Sequence, residues 1–231
     1  MIKVCLALAG FALTASVSAR SAEPPPSREL ATAEAKGAEA KDAAVRSEAA
    51  TRVADWVAAS GDNAALPYII VDKQAASLLL FDAQGKSLGQ VPILIGVAVG
   101  DEATPGIGSK NLAEIGPAER TTPAGRFLAK FGMAAGKQRV LWVDYATSVA
   151  LHPIPTGNRK ERRRQRMLSP DIEDNRITFG CINVPSLFYS KSVRPLFQKK
   201  GGYVYVLPDT KPLEAVFPRL HVHSYAKAAA S

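Results

Sequence analysis

The sequence predicts a mostly β domain of the sandwich or barrel type, with one short helix late in the chain and a helical leader before it. Short runs rich in valine, isoleucine and aromatic residues recur between residues 66 and 208, separated by glycine and proline. The composition, with 47% apolar and 22% charged residues, is that of a globular chain. It excludes a chain that is disordered throughout and a polytopic membrane protein.

Residues 1–19 have the pattern of a secretory signal peptide. Lys3 supplies the positive charge, residues 4–15 form a short apolar run, and residues 17–19 supply the small side chains of a cleavage site. The run is too short for a transmembrane helix, which needs about 20 apolar residues. We therefore expect a soluble protein, exported to the periplasm or cell wall, with no transmembrane anchor. Removal of the signal would leave Cys181 as the single cysteine.

Residues 20–65 form a leader rich in alanine, glutamate and lysine, which favour helix. Only Val53, Trp56 and Val57 have the spacing of an apolar helix face. The C-terminal end of this helical leader is expected to dock on the domain, and the helix is expected to end near Gly61. It would act either as a spacer or simply as a mobile segment.

Residues 66–208 are predicted to form the domain itself. Its candidate strands are residues 68–71, 77–81, 91–99, 126–131, 140–145, 149–151, 177–184 and 203–207. The short helix is expected to run from about Ser186 to Val193, with Pro195 interrupting it. The alanine- and lysine-rich tail, residues 209–231, is expected to be loosely ordered.

A cluster of positive charge lies at residues 159–166. The formal net charge of the chain is +8, which favours anionic partners. The cluster is either a solvated surface or a lid that attracts anionic peptides or wall polymers. Nucleic acid is not favoured as a partner, because no aromatic residues alternate with the charges and export is expected. The six basic residues are Arg159, Lys160, Arg162, Arg163, Arg164 and Arg166.

Cys181 is a candidate nucleophile. It follows Gly180 at a point where the chain can turn sharply and expose the sulfur, and backbone N–H groups at such a turn can face an oxyanion. A thiol needs a base or a cation nearby to react at neutral pH. Of the three histidines, only His152 ends a predicted strand within the domain; His221 and His223 lie in the tail.

Three motifs together resemble the catalytic domain of the L,D-transpeptidase (YkuD-like) family. In order they are residues 122–127, Thr-Pro-Ala-Gly-Arg-Phe; Leu151-His152; and residues 178–183, Thr-Phe-Gly-Cys-Ile-Asn. The resemblance covers about residues 67–208 and implies an L,D-transpeptidase-like β-sandwich or barrel. It also implies peptidoglycan stem peptides as the substrate, with no metal and no organic cofactor.

The resemblance also implies roles for individual residues. Cys181 would be the nucleophile and His152 the general acid and base, oriented by the backbone carbonyl of Pro153. Gly180 would join Cys181 in donating backbone N–H groups to the oxyanion. The implied substrate-binding residues are Thr178, Phe179 and Asn183.

Two departures from the family pattern keep alternatives open. Phe179 stands where the motif has a histidine, and the segment between His152 and Cys181 is longer than usual. The main prediction is a transpeptidase that cross-links or remodels the cell wall through a thioester. The alternatives are a carboxypeptidase or endopeptidase with the same residues, an inactive wall-binding module, and a binder of anionic polymers.

Overall fold

The computed structural model describes residues 46–134 and 138–221. The predicted signal peptide, residues 20–45 of the leader and residues 222–231 of the tail lie outside the described residues. Within the described part, the strands are β1 (Tyr68–Asp72), β2 (Ser77–Phe81), β3 (Ser87–Pro92), β4 (Ile95–Gly96), β5 (Gly125–Met133), β6 (Arg139–Asp144), β7 (Val149–Pro153), β8 (Arg176–Thr178), β9 (Ile182–Val184) and β10 (Gly202–Val206). The prediction of a mostly β fold is confirmed.

The main sheet has eight strands in the order β3-β2-β1-β10-β5-β6-β7-β9, and β4 pairs separately with β8. Leu94, two residues after β3, exchanges two backbone hydrogen bonds with Asn183 of β9, at 3.0 and 2.9 Å. The two ends of the sheet therefore meet, and the sheet forms a nearly closed barrel.

The first two strands are apolar on both faces because both faces are covered. Ile69 and Leu80 belong to the barrel core, whereas Ile70 and Leu79 belong to a second cluster outside the sheet. This alternation follows from the period of two in a strand. It explains why these runs are continuously apolar rather than alternating with polar residues.

Helix α1 (Glu48–Ser60) covers the outer face of the sheet. The hydroxyl of Ser47 caps its first turn, and Gly61, at φ +66°, ends it at the predicted position. Trp56 is buried and contacts Tyr205 edge to face, with ring centroids 5.9 Å apart. Val53 and Val57 are also buried, so the predicted apolar face of this helix is confirmed.

The segment after β10 packs on the same face as α1. A short helix, which we call α5 (Leu213–Val216), is followed by a 3-10 turn, Pro218–His221. Leu213, Phe217 and Leu220 are buried in the cluster around Trp56. The expectation of a loosely ordered tail is therefore wrong for residues 209–221, because these apolar side chains cover the helix.

Two predicted strands are each divided in two. The run 91–99 is divided between β3 and β4. The pairing of β3 with β2 ends at Pro92, and Leu94 pairs with Asn183 instead. The run 177–184 is divided between β8 and β9, because Gly180 adopts φ +116° and turns the chain. The predicted continuous strands are wrong at these two places.

The helical segment after β9 passes through Pro195 without interruption. It consists of α3 (Ser186–Phe188), a π-helical turn (Tyr189–Val193) and α4 (Arg194–Phe197). The N–H of Arg194 reaches back five residues to the carbonyl of Tyr189. This wider turn precedes Pro195, whose nitrogen cannot donate, so the predicted interruption is wrong.

The long segment between β7 and β8 is built from short helical turns: Arg159–Glu161, α2 (Arg163–Met167) and Ile172–Asn175. Met167 is buried in a small cluster with Leu94 and Ile154, which anchors the segment to the barrel. Within residues 46–134 and 138–221, no helix has the length and apolar character needed to cross a membrane.

Candidate active site

The predicted nucleophile directly precedes a strand that pairs in parallel with the strand of the predicted base. β7 and β9 pair so that His152 lies opposite Asn183, and Cys181 directly precedes β9. Side chains two residues apart on a strand share a face. The register therefore places Cys181, Asn183 and His152 on one face of this strand pair.

The turn that carries Cys181 is held by two threonine hydroxyls. Thr178 Oγ1 donates to the carbonyl of Cys181 at 2.6 Å and accepts from the N–H of Gly180 at 3.1 Å. Thr122 Oγ1 donates to the carbonyl of Gly180 at 2.8 Å. A Cβ at Gly180 would lie 2.6 Å from the carbonyl oxygen of Thr121, so both this contact and the positive φ require glycine.

Hydrogen bonds fix the imidazole of His152 on both sides. Nδ1 lies 2.9 Å from the carbonyl oxygen of Pro153, and Nε2 lies 3.2 Å from the amide nitrogen of Asn183. Since a carbonyl only accepts, Nδ1 carries the proton, and Nε2 presents its lone pair. The contact with Pro153 is the one that the family resemblance implies.

Arg163 of α2 completes this arrangement. Its Nη1 donates to Oδ1 of Asn183 at 2.6 Å, and its Nε donates to Glu161 at 2.5 Å. The Arg163 side chain is 12% exposed, and the amide of Asn183 is fully buried. We call Arg163, Asn183, His152 and the carbonyl of Pro153 the histidine network.

The thiol of Cys181 is partly buried and donates to the carbonyl of Ser148, with Sγ 3.7 Å from the oxygen. Burial raises its pKa above the ordinary thiol value, and a backbone hydrogen bond from Ala150 and the charge of Arg163 only partly offset this. The resting sulfur is therefore a thiol at neutral pH. Its hydrogen bond goes to Ser148 rather than to the imidazole.

Burial also keeps the imidazole neutral. It lowers the pKa of His152 below its ordinary value, the hydrogen bond to Pro153 partly offsets this, and the charge of Arg163 lowers the pKa further. The site thus holds a neutral thiol beside a neutral base. Such a pair can transfer a proton as the sulfur attacks, without a resting ion pair.

Phe179 forms the exposed border of the site. Its ring is 36% exposed, and the guanidinium of Arg120 lies 3.9 Å from the ring centroid. Two donors of Arg120 bind the carbonyl of Ile115, which holds the guanidinium in place. This pair offers a flat aromatic surface with a fixed positive charge two residues before Cys181.

Three predicted roles need correction. The N–H of Gly180 binds Thr178, so it is not free for an oxyanion, and Gly180 shapes the turn instead. Thr178 is 2% exposed and holds the nucleophile turn, while Asn183 is fully buried and holds His152. Neither side chain is exposed to a substrate, which leaves Phe179 as the predicted binding residue at the surface.

The basic cluster is not a single solvated surface. Arg163 points into the site, and Arg166 donates to the backbone carbonyl of Asp174 at 2.8 Å. Arg159, Lys160 and Arg162 are exposed, and Arg164 is half-buried. Part of the charge therefore builds the site, and the rest faces solvent.

Sequence reasoning missed two contributors to the site, the side chain of Thr122 and that of Arg163. Thr122 lies in a motif that the sequence had singled out, so its position carried a signal. Arg163 lies among five other basic residues, and nothing in the charge pattern separates it from them.

Comparison with known proteins gives similar structures but no sequence match. No family model and no curated protein sequence matches the chain. The similar solved structures include L,D-transpeptidases and a cell-shape protein. The L,D-transpeptidase of Xylanimonas cellulosilytica is 16% identical, with 61% of this chain and 60% of that chain covered and a TM-score of 0.36.

Two further structures have comparable scores. The catalytic domain of the E. faecium L,D-transpeptidase is 21% identical, with 61% of this chain and 96% of that domain covered and a TM-score of 0.36. The helical cell shape determining protein Pgp2 of Campylobacter jejuni is 15% identical, with 72% and 58% covered and a TM-score of 0.42. The chain thus spans about three fifths of the Xylanimonas and Campylobacter chains.

Proposed function

We propose that this protein is an exported cysteine acyltransferase, an L,D-transpeptidase that acts on peptidoglycan stem peptides. The observation that carries the proposal is that Cys181 directly precedes the strand that pairs with the strand of His152, whose Nδ1–H is held by the carbonyl of Pro153 so that Nε2 is the basic atom. The substrate class rests on the resemblance of the three motifs. No cofactor or metal is part of the proposal.

The first half-reaction begins with attack of Cys181 Sγ on the carbonyl before the terminal D-amino acid of a stem. As the S–C bond forms, Nε2 of His152 gives up its hydrogen bond from Asn183 and takes the thiol proton, and the carbonyl oxygen becomes an oxyanion. We assign the backbone N–H of Cys181 as a donor to that oxyanion, since the N–H of Gly180 binds Thr178. The imidazolium then gives its proton to the leaving amine, which leaves a thioester.

The second half-reaction reverses these proton movements. An amine of a second stem attacks the thioester carbon while Nε2 of His152 takes a proton from the amine nitrogen. Collapse of the intermediate breaks the S–C bond, and the imidazolium returns the proton to the sulfur. The product is a cross-linked dimer, with a free terminal D-amino acid from the first step.

The surface around Cys181 suits an anionic peptide. The Arg120–Phe179 pair places a cation and a flat ring at the border of the site, and stem peptides carry carboxylates. The exposed residues Arg159, Lys160 and Arg162 extend the positive surface toward an anionic wall polymer.

Intact mass spectrometry tests the nucleophile. The purified protein is incubated with a carbapenem, which acylates a reactive thiol, and the mass is compared with that of Cys181→Ala and Cys181→Ser. We expect one adduct on the wild type and none on either variant. An adduct that persists in Cys181→Ala would place the reactive group elsewhere.

Product analysis with defined stem peptides then separates the remaining functions. Dimers released with a free D-amino acid support transpeptidation, whereas cleaved monomers alone indicate a carboxypeptidase or endopeptidase. Binding to purified cell wall with neither adduct nor product would refute the acyltransferase and indicate a wall-binding module. The hydrogen bond of the thiol to Ser148, rather than to His152, is the observation that favours this inactive alternative.

A further inference from the structure

Both ends of the Asn183 side chain have fixed partners. Its Oδ1 accepts from Arg163 at 2.6 Å, and its Nδ2 lies 3.2 Å from Nε2 of His152. A guanidinium has donors and no acceptor, so it requires the oxygen of the amide to face it. The amide N–H must then point at the imidazole.

This orientation determines which form of His152 the protein favours. With Nδ1–H donating to Pro153, the Asn183 N–H meets the lone pair of Nε2. A proton on Nε2 would set two donors against each other. The conflict is relieved only if the amide of Asn183 rotates, and rotation would break its short bond to Arg163.

Arg163 itself is held from two sides. Its Nε donates to Glu161 at 2.5 Å, and its side chain is largely buried. Met167, one helical turn later on α2, is buried against Leu94 and Ile154 of the barrel. The long segment between β7 and β8 therefore delivers a fixed guanidinium to the Asn183 amide that contacts Nε2 of the imidazole.

We propose that Arg163 is a positioning residue that fixes the amide of Asn183 and thereby holds His152 neutral, with its proton on Nδ1 and its accepting atom at Nε2. The catalytic consequence rests on the function proposed above, because His152 must accept the thiol proton. The tautomer is a property of the resting protein and does not depend on turnover.

The charged groups around His152 have definite partners. Cys181 lies on the segment before β9, and Arg163 faces the imidazole through Asn183 with Glu161 beside it. On β6, which pairs with the other edge of β7, Arg139 lies over the ring of Phe131. The other charged residue near that edge, Asp144, accepts from the Thr147 hydroxyl at 2.6 Å. Among these groups, Arg163 is thus the cation that is linked to the imidazole, through Asn183.

Removal of Arg163 should make His152 a stronger base. The substitution takes away a nearby positive charge and also frees the Asn183 amide to turn its oxygen toward an Nε2 proton. Both changes favour the imidazolium, so the pKa of His152 should rise. The acid limb of the acylation rate would then move to higher pH, because protonated His152 cannot accept the thiol proton.

Nitrogen NMR on protein labelled at histidine tests this directly. The His152 signals are identified by their loss in His152→Gln and are followed against pH in the wild type, Arg163→Ala and Lys160→Ala. Lys160 is the control because it is exposed and belongs to the same segment. Its substitution also removes one positive charge, but it leaves the contacts of the histidine network unchanged. We expect the Nδ1–H tautomer in the wild type and a proton-binding constant about threefold or more higher in Arg163→Ala.

Three results would overturn the assignment: an Nε2–H tautomer in the wild type, an unchanged titration in folded Arg163→Ala, or an equal shift in Lys160→Ala. Arg163→Lys keeps a donor and a charge and should restore most of the wild-type titration. If Arg163→Ala does not fold, Arg163→Met keeps the aliphatic stem and serves instead. If the wild type shows the expected His152 titration but forms no carbapenem adduct, the proposed function is refuted and the role of Arg163 in fixing the His152 tautomer still stands.

Discussion

Two groups of buried polar side chains in this protein differ in whether the partners of a cation are charged or neutral. One, which we call the charge cluster, consists of Lys73, Asp101, Asp209 and Arg176. Lys73 is fully buried, with Nζ 3.0 Å from Asp101 and 3.2 Å from Asp209, and Arg176 lies 2.8 Å from Asp209. The other is the histidine network, where the single buried cation contacts a neutral amide and, through it, a neutral imidazole.

The difference follows from the partners that each group has. Burial alone would raise the pKa of Asp101, but backbone N–H donors from Asp209, Lys211 and Thr210, together with Lys73, bring it well below the usual range. The carboxylate of Asp101 therefore stays ionised. His152 has one carbonyl and one amide as partners, and burial keeps it neutral. Asp101 is thus held in its charged form, whereas the neutral imidazole of His152 can accept a proton.

Thr122 joins the charge cluster to the turn that carries Cys181. Its carbonyl accepts from Lys73 Nζ at 3.0 Å, and its hydroxyl donates to Gly180 at 2.8 Å. The same hydroxyl accepts from the N–H of Gly96 at 2.9 Å. The buried charge cluster thus supports the turn that carries Cys181.

The largest effect on stability should come from Lys73→Ala. The substitution leaves two buried carboxylates without their shared cation, so we expect the free energy of unfolding in urea to fall by about 3–5 kcal/mol. Lys211→Ala is the control, because its pair with Glu102 is exposed and should contribute less than about 1 kcal/mol. Equal losses in the two variants would show that the charge cluster is not a buried ion network.

Thr122→Val should affect both stability and chemistry. It removes the hydroxyl from two buried hydrogen bonds and leaves Gly96 N–H and the Gly180 carbonyl unpaired, at a cost of about 1–3 kcal/mol. The nucleophile turn should shift, and acylation by a carbapenem should slow. Thr210→Val removes a hydroxyl that donates only to Asp101, so acylation should keep its wild-type rate. Equal slowing in both variants would contradict a specific role for Thr122.

A smaller effect should appear in the acid dependence of stability. The folded pKa of His152 lies below its ordinary value of 6.5, so the unfolded chain binds more protons just below that pH. Stability should therefore fall as the pH drops below about 6.5. The slope of the unfolding free energy from pH 7 to 5 should be smaller in His152→Gln. An unchanged slope would mean that the imidazole is not held neutral.

The sequence predicted the parts of the fold that local patterns determine. Residues 77–81 were predicted as a strand from their apolar run and form β2 with those bounds, and Gly61 ends α1 as expected. The run 91–99 could not be divided correctly from its composition. Its break depends on a backbone pairing between Leu94 and Asn183, which are far apart in the chain.

The same distinction applies to the candidate site. Cys181 and His152 were singled out because their neighbours form motifs, and the family resemblance implied the contact of Pro153 with the imidazole that the structure contains. The partners of Thr178 and Asn183 were not predicted, because the burial of a polar side chain depends on segments that arrive from elsewhere. Arg163 is one of these distant partners, because α2 brings its guanidinium to the amide of Asn183.

The pH dependence of acylation tests the central claim most directly, namely that a neutral thiol gives its proton to a neutral imidazole as it attacks. Acylation by a carbapenem is timed by intact mass from pH 5 to 9 for the wild type and for His152→Gln. We predict that the wild-type rate falls on the acid side and that His152→Gln is slower by about 10²–10⁴-fold at neutral pH, without this acid limb. A variant that keeps both the wild-type rate and its acid limb would contradict the account.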